Sequence, residues 1–275
     1  MAISAADVKK LRDETDAPMM ECKKALEEAE GDFEKAKAIL REKGKAAAAK
    51  RADRETKAGV ALATLSPCGK KLGGVVLTCE TDFVARNEDF LAVAQKLAEA
   101  FAANDPGDAP LDLETGEGTV GSLIEGAVAK IRENIQLAKA VHKETQGTWA
   151  TYLHHNKLKA AAVAIVGEAS NAEAVGHKIA VQCVAFPPEY LSREEVPQEM
   201  IDRELEIETQ RALNEGKKPE IAANIAKGRV NKEFYSRVVL LEQPYYEDPS
   251  KTVAQFLQEN GGLKIEQFVY LAVGG

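Results

Sequence analysis

Few residues in this chain are spaced for chemistry of their own. Cys22, Cys68, Cys79 and Cys183 are scattered and include no Cys-x-x-Cys pair. That pattern predicts small buried hydrophobes in a reducing compartment, not a disulfide framework or metal site. His154 and His155 adjoin, but on a strand they would face opposite sides and not share a metal. There is no Walker loop, no His-Glu-x-x-His and no Gly-x-Ser-x-Gly. Gly116-Glu117-Gly118-Thr119-Val120-Gly121 has the letters of a dinucleotide fingerprint. No strand precedes it, and Asp112, Glu114 and Glu117 would repel a phosphate. No acid-base pair assembles, so the reading is against an enzyme. One segment has a different character: Thr81-Asp82-Phe83-Val84-Ala85-Arg86-Asn87. It follows an apolar strand and precedes a helix from about Glu88. Two readings of Phe83 are open there. The ring folds back into the core, or it stands out beside Asp82 as an anchor for a partner's pocket.

The elements that must position this segment follow from periodicity and punctuation. Residues 1–44 read as three short helices. The first carries Val8 and Leu11. The second is capped by Asp16, carries Cys22, Ala25 and Leu26, and ends at Gly31. The third is capped by Asp32 and closed by Gly44. Residues 45–58 hold alanine and charge and read as a solvated helix or linker at a domain boundary. Their basic residues are diluted by Asp53 and Glu55. Val60–Leu65 and Leu72–Cys79 read as a hairpin. A helix with Phe90, Leu97 and Phe101 comes next, and a second from about Ser122 to Lys139. The hairpin pattern recurs at Trp149–His154 and Leu158–Val166, followed by a helix with Val175 and Ile179. Lys71-Leu72 matches Lys157-Leu158, and Lys96-Leu97-Ala98 matches Lys178-Ile179-Ala180. The expected fold class is α+β: a three-helix domain at 1–44 and a duplicated hairpin-plus-helix core, with subdomains at 59–145 and at 146–186 with 236–275. Within 187–235, helices at Pro197–Asn214 and Pro219–Val230 predict an inserted antiparallel helical hairpin with an apolar seam of Ile201, Leu205, Ile221, Ala222, Ile225, Ala226 and Val230. Val238–Leu241 and Phe268–Val273 read as strands, with a helix at Thr252–Asn260 between them.

Composition narrows the classes of function. The 275 residues are 45% hydrophobic and 29% charged, ordinary for a globular chain, and only 5% aromatic. Lys plus Arg is 36 against 44 for Asp plus Glu, a net charge of −8. Nucleic-acid binding as the main task is therefore not expected. The longest apolar run, Ala160–Val166, is far short of the roughly 20 residues of a membrane span. The N-terminus carries Asp7, Lys9, Lys10, Arg12, Asp13 and Glu14 where an export signal would be apolar. A cytoplasmic protein is expected.

With these residues in view, the sequence resembles the bacterial translation elongation factor Ts family, the nucleotide-exchange factors of elongation factor Tu. The resemblance rests on Thr81 to Asn87, and on Val8-Lys9-Lys10-Leu11-Arg12 followed by Met19-Met20-Glu21-Cys22-Lys23-Lys24-Ala25-Leu26. It extends through Tyr152-Leu153-His154-His155-Asn156, Gly216-Lys217-Lys218-Pro219-Glu220-Ile221-Ala222, and Gln243-Pro244 with Pro249-Ser250-Lys251-Thr252-Val253. It implies a ubiquitin-associated-like (UBA-like) domain at the N-terminus and a coiled-coil hairpin. It also implies a GTPase partner from which GDP is released by displacing Mg²⁺, and a nucleotide-free GTPase that is stabilised. Thr81, Asp82, Phe83 and Val84 would act at the Mg²⁺ contact, with Phe83 wedged between two helices of the GTPase. His154, Met19, Met20 and Ile131 would make further contacts. No chemical step, cofactor, metal, nucleotide, nucleic acid or membrane of its own is implied, and the hairpin leaves room for a homodimer. Members often carry Gly where Lys130-Ile131-Arg132-Glu133-Asn134-Ile135 has Arg132. The chain also stops at Gly275, without a further C-terminal helix found in some members.

Overall fold

The computed structural model describes residues 3–15 and 17–274. The caps and ends expected at Asp16 and Gly275 lie outside the described residues. The chain opens with α1 (Ala5–Thr15), α2 (Met19–Glu28) and α3 (Phe33–Ala49). Val8, Leu11, Cys22, Ala25, Leu26, Ala36 and Leu40 recur at helical spacing and close into one small core. Asp32 caps α3 by accepting from the Lys35 amide at 3.1 Å. Gly44 does not end that helix as expected. It lies inside α3, where a Cβ would sit 3.2 Å from Ala129 Cβ, so its smallness serves a close helix crossing. The segment expected as a solvated helix or linker, 45–58, is largely exposed among its described side chains. Its first part is helix, and Ala52 and Arg54 beyond it offer their carbonyls to Asn134 Nδ2 at 3.2 and 2.7 Å.

Next come β1 (Ala58–Leu65), β2 (Lys71–Cys79), α4 (Asp82–Ala85), α5 (Glu88–Ala103), α6 (Val120–Ile131) and β3 (Ile135–Glu144). They are followed by β4 (Thr148–Leu153), β5 (Lys159–Val166) and α7 (Ala172–Ala185). Among the described residues the main strands form two three-stranded antiparallel sheets, β1-β2-β3 and β4-β5-β8, the last being Lys264–Ala272. Each sheet has a helical outer face and an inner face against the other sheet. On β2, Val75, Leu77 and Cys79 point to α5 and α6, while Leu72 and Val76 point to the second sheet. On β5, Ala161, Val163 and Ile165 face α7, while Ala160, Ala162 and Ala164 face the first sheet. Burial on both faces explains why these strands read as unbroken apolar runs without polar alternation. Trp149 sits in the seam between the sheets, its Nε1 donating to Lys70 O at 3.1 Å. The Ala61 amide donates to Lys157 O at 2.8 Å across the same seam.

Beyond α7, α8 (Gln198–Asn214) and α9 (Pro219–Arg229) form the antiparallel hairpin, turned at Gly216 with φ +81°. Ala212, Ala222, Ala226 and Val230 fill its seam, whereas Ile221 is exposed, against expectation. Glu208 is buried there between Arg211 and Arg229, each at 3.2 Å. A single π-turn, Val230–Phe234, leads into α10 (Tyr235–Val238). A short ribbon, β6 (Pro244–Tyr245) with β7 (Asp248–Thr252), then leads to α11 (Val253–Glu259).

Two further expectations are overturned. The helix expected from Ser122 to Lys139 stops at Ile131, because Arg132 turns left-handed at φ +69°. The chain then enters β3, which the sequence reading lacked, with Ile135 opposite Cys79. Ile131 and Ile135, four apart, fit a helical period and a strand entry equally well. The strand expected at Val238–Leu241 is the end of α10 and a 3₁₀ turn, Leu240–Glu242, with one bridge from Val239 to Tyr190. No helix among the described residues is long and apolar enough to cross a membrane.

Candidate functional site at the strand-to-helix corner

The corner between β2 and α5 begins where β2 loses its partners. Thr81 is extended and caps α4, its Oγ1 accepting from the Val84 amide at 3.4 Å. Asn87 caps α5 in the same way, accepting from the Asp89 and Phe90 amides at 2.8 and 3.4 Å. Between these caps the single turn of α4 has two faces. Val84 and Ala85 pack onto the first core. Asp82 and Phe83 point outward, and Phe83 is 83% exposed. The reading in which the ring folds back into the core is therefore overturned. An apolar ring held in water by a turn capped at both ends, beside an acid, has the form of an anchor for a partner's pocket. Among the described residues Asp82 pairs with Arg86 alone, at 3.1 Å and in open solvent. Such a pair is worth at most about 1 kcal/mol and exchanges readily for another partner.

Thr81 is fixed from its far side. Its amide donates to Glu133 Oε2 at 3.0 Å and its hydroxyl to Glu133 Oε1 at 2.6 Å. Cys79 Sγ donates to Thr81 O at 3.2 Å. Burial, helped by the Glu133 charge, pushes the Cys79 thiol up to about 12, so it stays a protonated donor. One residue away, Glu80 accepts from the Asn134 amide at 2.7 Å. That bond first, and Arg54 second, hold its carboxyl below the usual range.

The other expected site residues divide. Met19 and Met20, 48% and 62% exposed, stand at the start of α2. Beside them Glu21 takes Arg132 at 2.9 Å. Two contacts thus tie the neighbourhood of the methionines to the corner: Glu21 with Arg132, and Glu133, next in the chain, with Thr81. His154 is half-buried at the end of β4, its Nδ1 3.1 Å from Tyr152 Oη. The Lys157–Ala61 bond sets its turn against the middle of β1, where Ala61 lies opposite Val76. His154 and His155 leave the strand into a turn, and their ring centroids lie 4.3 Å apart, not on opposite faces as expected. Ile131 is half-buried and packs on the first core. Glu133 was missed by sequence reasoning. It lies 52 positions from Thr81, and the helix expected across it hid the turn that aims it.

The Gly116 loop has the acidic character expected of it. Lys96 pins it through Glu117 at 2.6 Å, and Thr119 caps α6 directly after it. Among the described residues no group of histidine, cysteine and acidic side chains is arranged to hold a metal ion.

Comparison with known proteins adds the family. A family profile described as Elongation factor TS matches residues 80–275, beginning at the corner itself. Elongation factor Ts of Aquifex aeolicus is 39% identical over 100% of this chain and 99% of its own length. That of Cutibacterium acnes is 43% identical over 100% of both. That of Bordetella petrii is 41% identical over 99% of this chain and 91% of its own. Matches of this length, running through the clamped corner and both sheets, place the chain in the elongation factor Ts family.

Proposed function

We propose that this chain is a guanine-nucleotide exchange factor for the GTPase elongation factor Tu, acting in translation elongation in the cytoplasm. The family is one of translation factors, not of catalysts of a chemical step. The observation that carries the reading is the exposed Phe83 ring on a turn capped at both ends. Phe83 wedges into the GTPase, and Thr81, Asp82 and Val84 complete the contact that dislodges Mg²⁺ from the nucleotide site. Met19 and Met20 dock the N-terminal helices on the GTPase, and His154 touches it near the phosphates. Ile131, half-buried at the end of α6, makes a further contact with it. In this reading residues 1–44 are a UBA-like docking unit joined by 45–58 to the core. The core has a unit at 59–145 and another at 146–186 with 236–275, arisen by duplication. Residues 187–235 are an inserted coiled-coil hairpin, which also offers a face for a second copy of the chain.

The mechanism is one of linked binding. A factor that prefers the Mg²⁺-free, nucleotide-free GTPase weakens GDP binding, and GDP weakens the factor equally. Accelerating release about 10⁴-fold takes about 5.5 kcal/mol at the transition state. Truncating one buried aromatic anchor removes roughly 2–4 kcal/mol. Phe83 alone therefore does not suffice, which suits a surface with several separate contacts. The test is release of a fluorescent GDP analogue from GDP-loaded elongation factor Tu. Phe83→Ala slows release roughly 30- to 800-fold with unchanged circular dichroism, because the ring supports nothing inside its own fold. Release at the wild-type rate overturns the reading.

A further inference from the structure

An anchor is worth its area only if it is already in place when the partner arrives, since ordering it during binding subtracts from the gain. Nothing intrinsic holds Phe83 still. Its helix is four residues long, and isolated turns of that length do not form in water. The ring itself touches too little to be fixed by packing. Rigidity must come from the residues on either side: behind it Val84 and Ala85 pack on the core, and ahead of it Thr81 is held on every polar atom. Its amide and hydroxyl both donate to the Glu133 carboxylate, its carbonyl accepts from Cys79 Sγ and from the Ala85 amide, and its Oγ1 accepts from Val84. The Glu133 pair is the charge-assisted, two-pronged member of the set. Glu133 is itself placed by its neighbours. Arg132 before it is left-handed, and Asn134 after it is buried with its amide on Glu80.

We propose that Glu133 is a positioning residue for exchange: its carboxylate sets the start of α4 and so the angle at which Phe83 is presented. The proposal rests on the wedge reading of Phe83. Glu133 need not touch the GTPase to act, and it acts on the contact made by Phe83 more than on docking through α2.

The experiment uses the full chain with Glu133→Ala and Glu133→Gln. GDP-analogue release from elongation factor Tu is followed over a range of factor concentrations. Glu133→Ala lowers the maximal release rate about tenfold, the size of one charge-assisted hydrogen bond. Glu133→Gln, which keeps one acceptor, lowers it less. The concentration giving half-maximal rate moves by less than about twofold, because docking persists. On a Phe83→Ala background Glu133→Ala adds less than about twofold, since both changes remove the same contact. Wild-type maximal rates for Glu133→Ala overturn the proposal, as does a tenfold loss that persists in full on the Phe83→Ala background. If Glu133→Ala does not fold, the same cycle is read with Glu133→Gln. Phe83→Ala alone releasing GDP at the wild-type rate is a different failure, that of the wedge reading itself.

Discussion

The two sheet units share a plan and differ at their corners. In each, a hairpin leads to a helix and a third strand returns to pair with the hairpin's second strand. In the first unit the passage from strand to helix, residues 80–87, is drawn out into a capped turn with an exposed ring. In the second the passage, residues 167–171, is short and carries no aromatic side chain. Gly167 there is left-handed at φ +139°, and a Cβ on it would meet Leu263 Cδ2 at 2.7 Å, so that corner is closed by its own chain. The second unit places its extra length after α7, in the α8–α9 hairpin, where the first has α6. One scaffold thus supports a short rigid point in one copy and a long arm in the other. The lesson is that a contact surface can be added at a corner without disturbing the sheet that holds it.

The strongest way to break this comparison is to truncate one exposed ring in each unit. Phe83→Ala slows GDP release by the 2–4 kcal/mol expected of an anchor. Phe186→Ala, at the end of α7 and 55% exposed, leaves release within about twofold, because isolated exposed apolar residues need no function. Equal losses would make the corners equivalent. Next in size is the helix-to-sheet approach. A Cβ on Gly73 of β2 would meet Ala98 O at 1.9 Å and Ala102 N at 2.3 Å, both backbone. A Cβ on Gly176 of α7 would meet side chains only, Ala150 Cβ at 2.7 Å and Ile165 Cγ1 at 3.0 Å. Gly73→Ala should therefore destabilise by about 3 kcal/mol and Gly176→Ala by about 1–2 kcal/mol, read from urea midpoints.

Smaller effects sharpen the picture. Arg132→Gly relieves the left-handed strain at a helix end, about 1 kcal/mol, and gives up an exposed ion pair worth less. Stability should rise slightly, by about 0.5 kcal/mol, while the link from Glu21 to the corner is lost. The smallest effect is an acid-side one in the second unit. Lys178 first, then Tyr245 and Tyr246, hold the Glu247 carboxyl down at about 2 from an ordinary 4.5. Its stabilisation is present above about 4.5 and is lost as pH falls toward 2. Glu247→Gln should flatten acid unfolding in that window, measured by circular dichroism against pH.

Legibility in the sequence tracked the range of the interaction. The corner could be read because its signals are local: an apolar strand ends, a helix follows from about Glu88, and an aromatic sits beside an acid. The hairpin could be read from Pro197, Gly216 and Pro219, which act within a turn of where they stand. The exposure of Phe83 could not, since burial is decided by what packs nearby. Nor could the Glu133 clamp, which joins segments far apart in the chain. The loss of β3 has the same root. Its entry is set by Asn134 reaching Ala52 and Arg54, while the nearby isoleucines kept helical time.

The chain's single tryptophan lies where the two sheets meet, with its indole N–H tied to the opposite unit. Its ultraviolet emission therefore reports on the join and not on either half alone. A red shift that precedes the loss of helix signal would mean that the halves part before they melt, and a simultaneous change would mean that they stand or fall together.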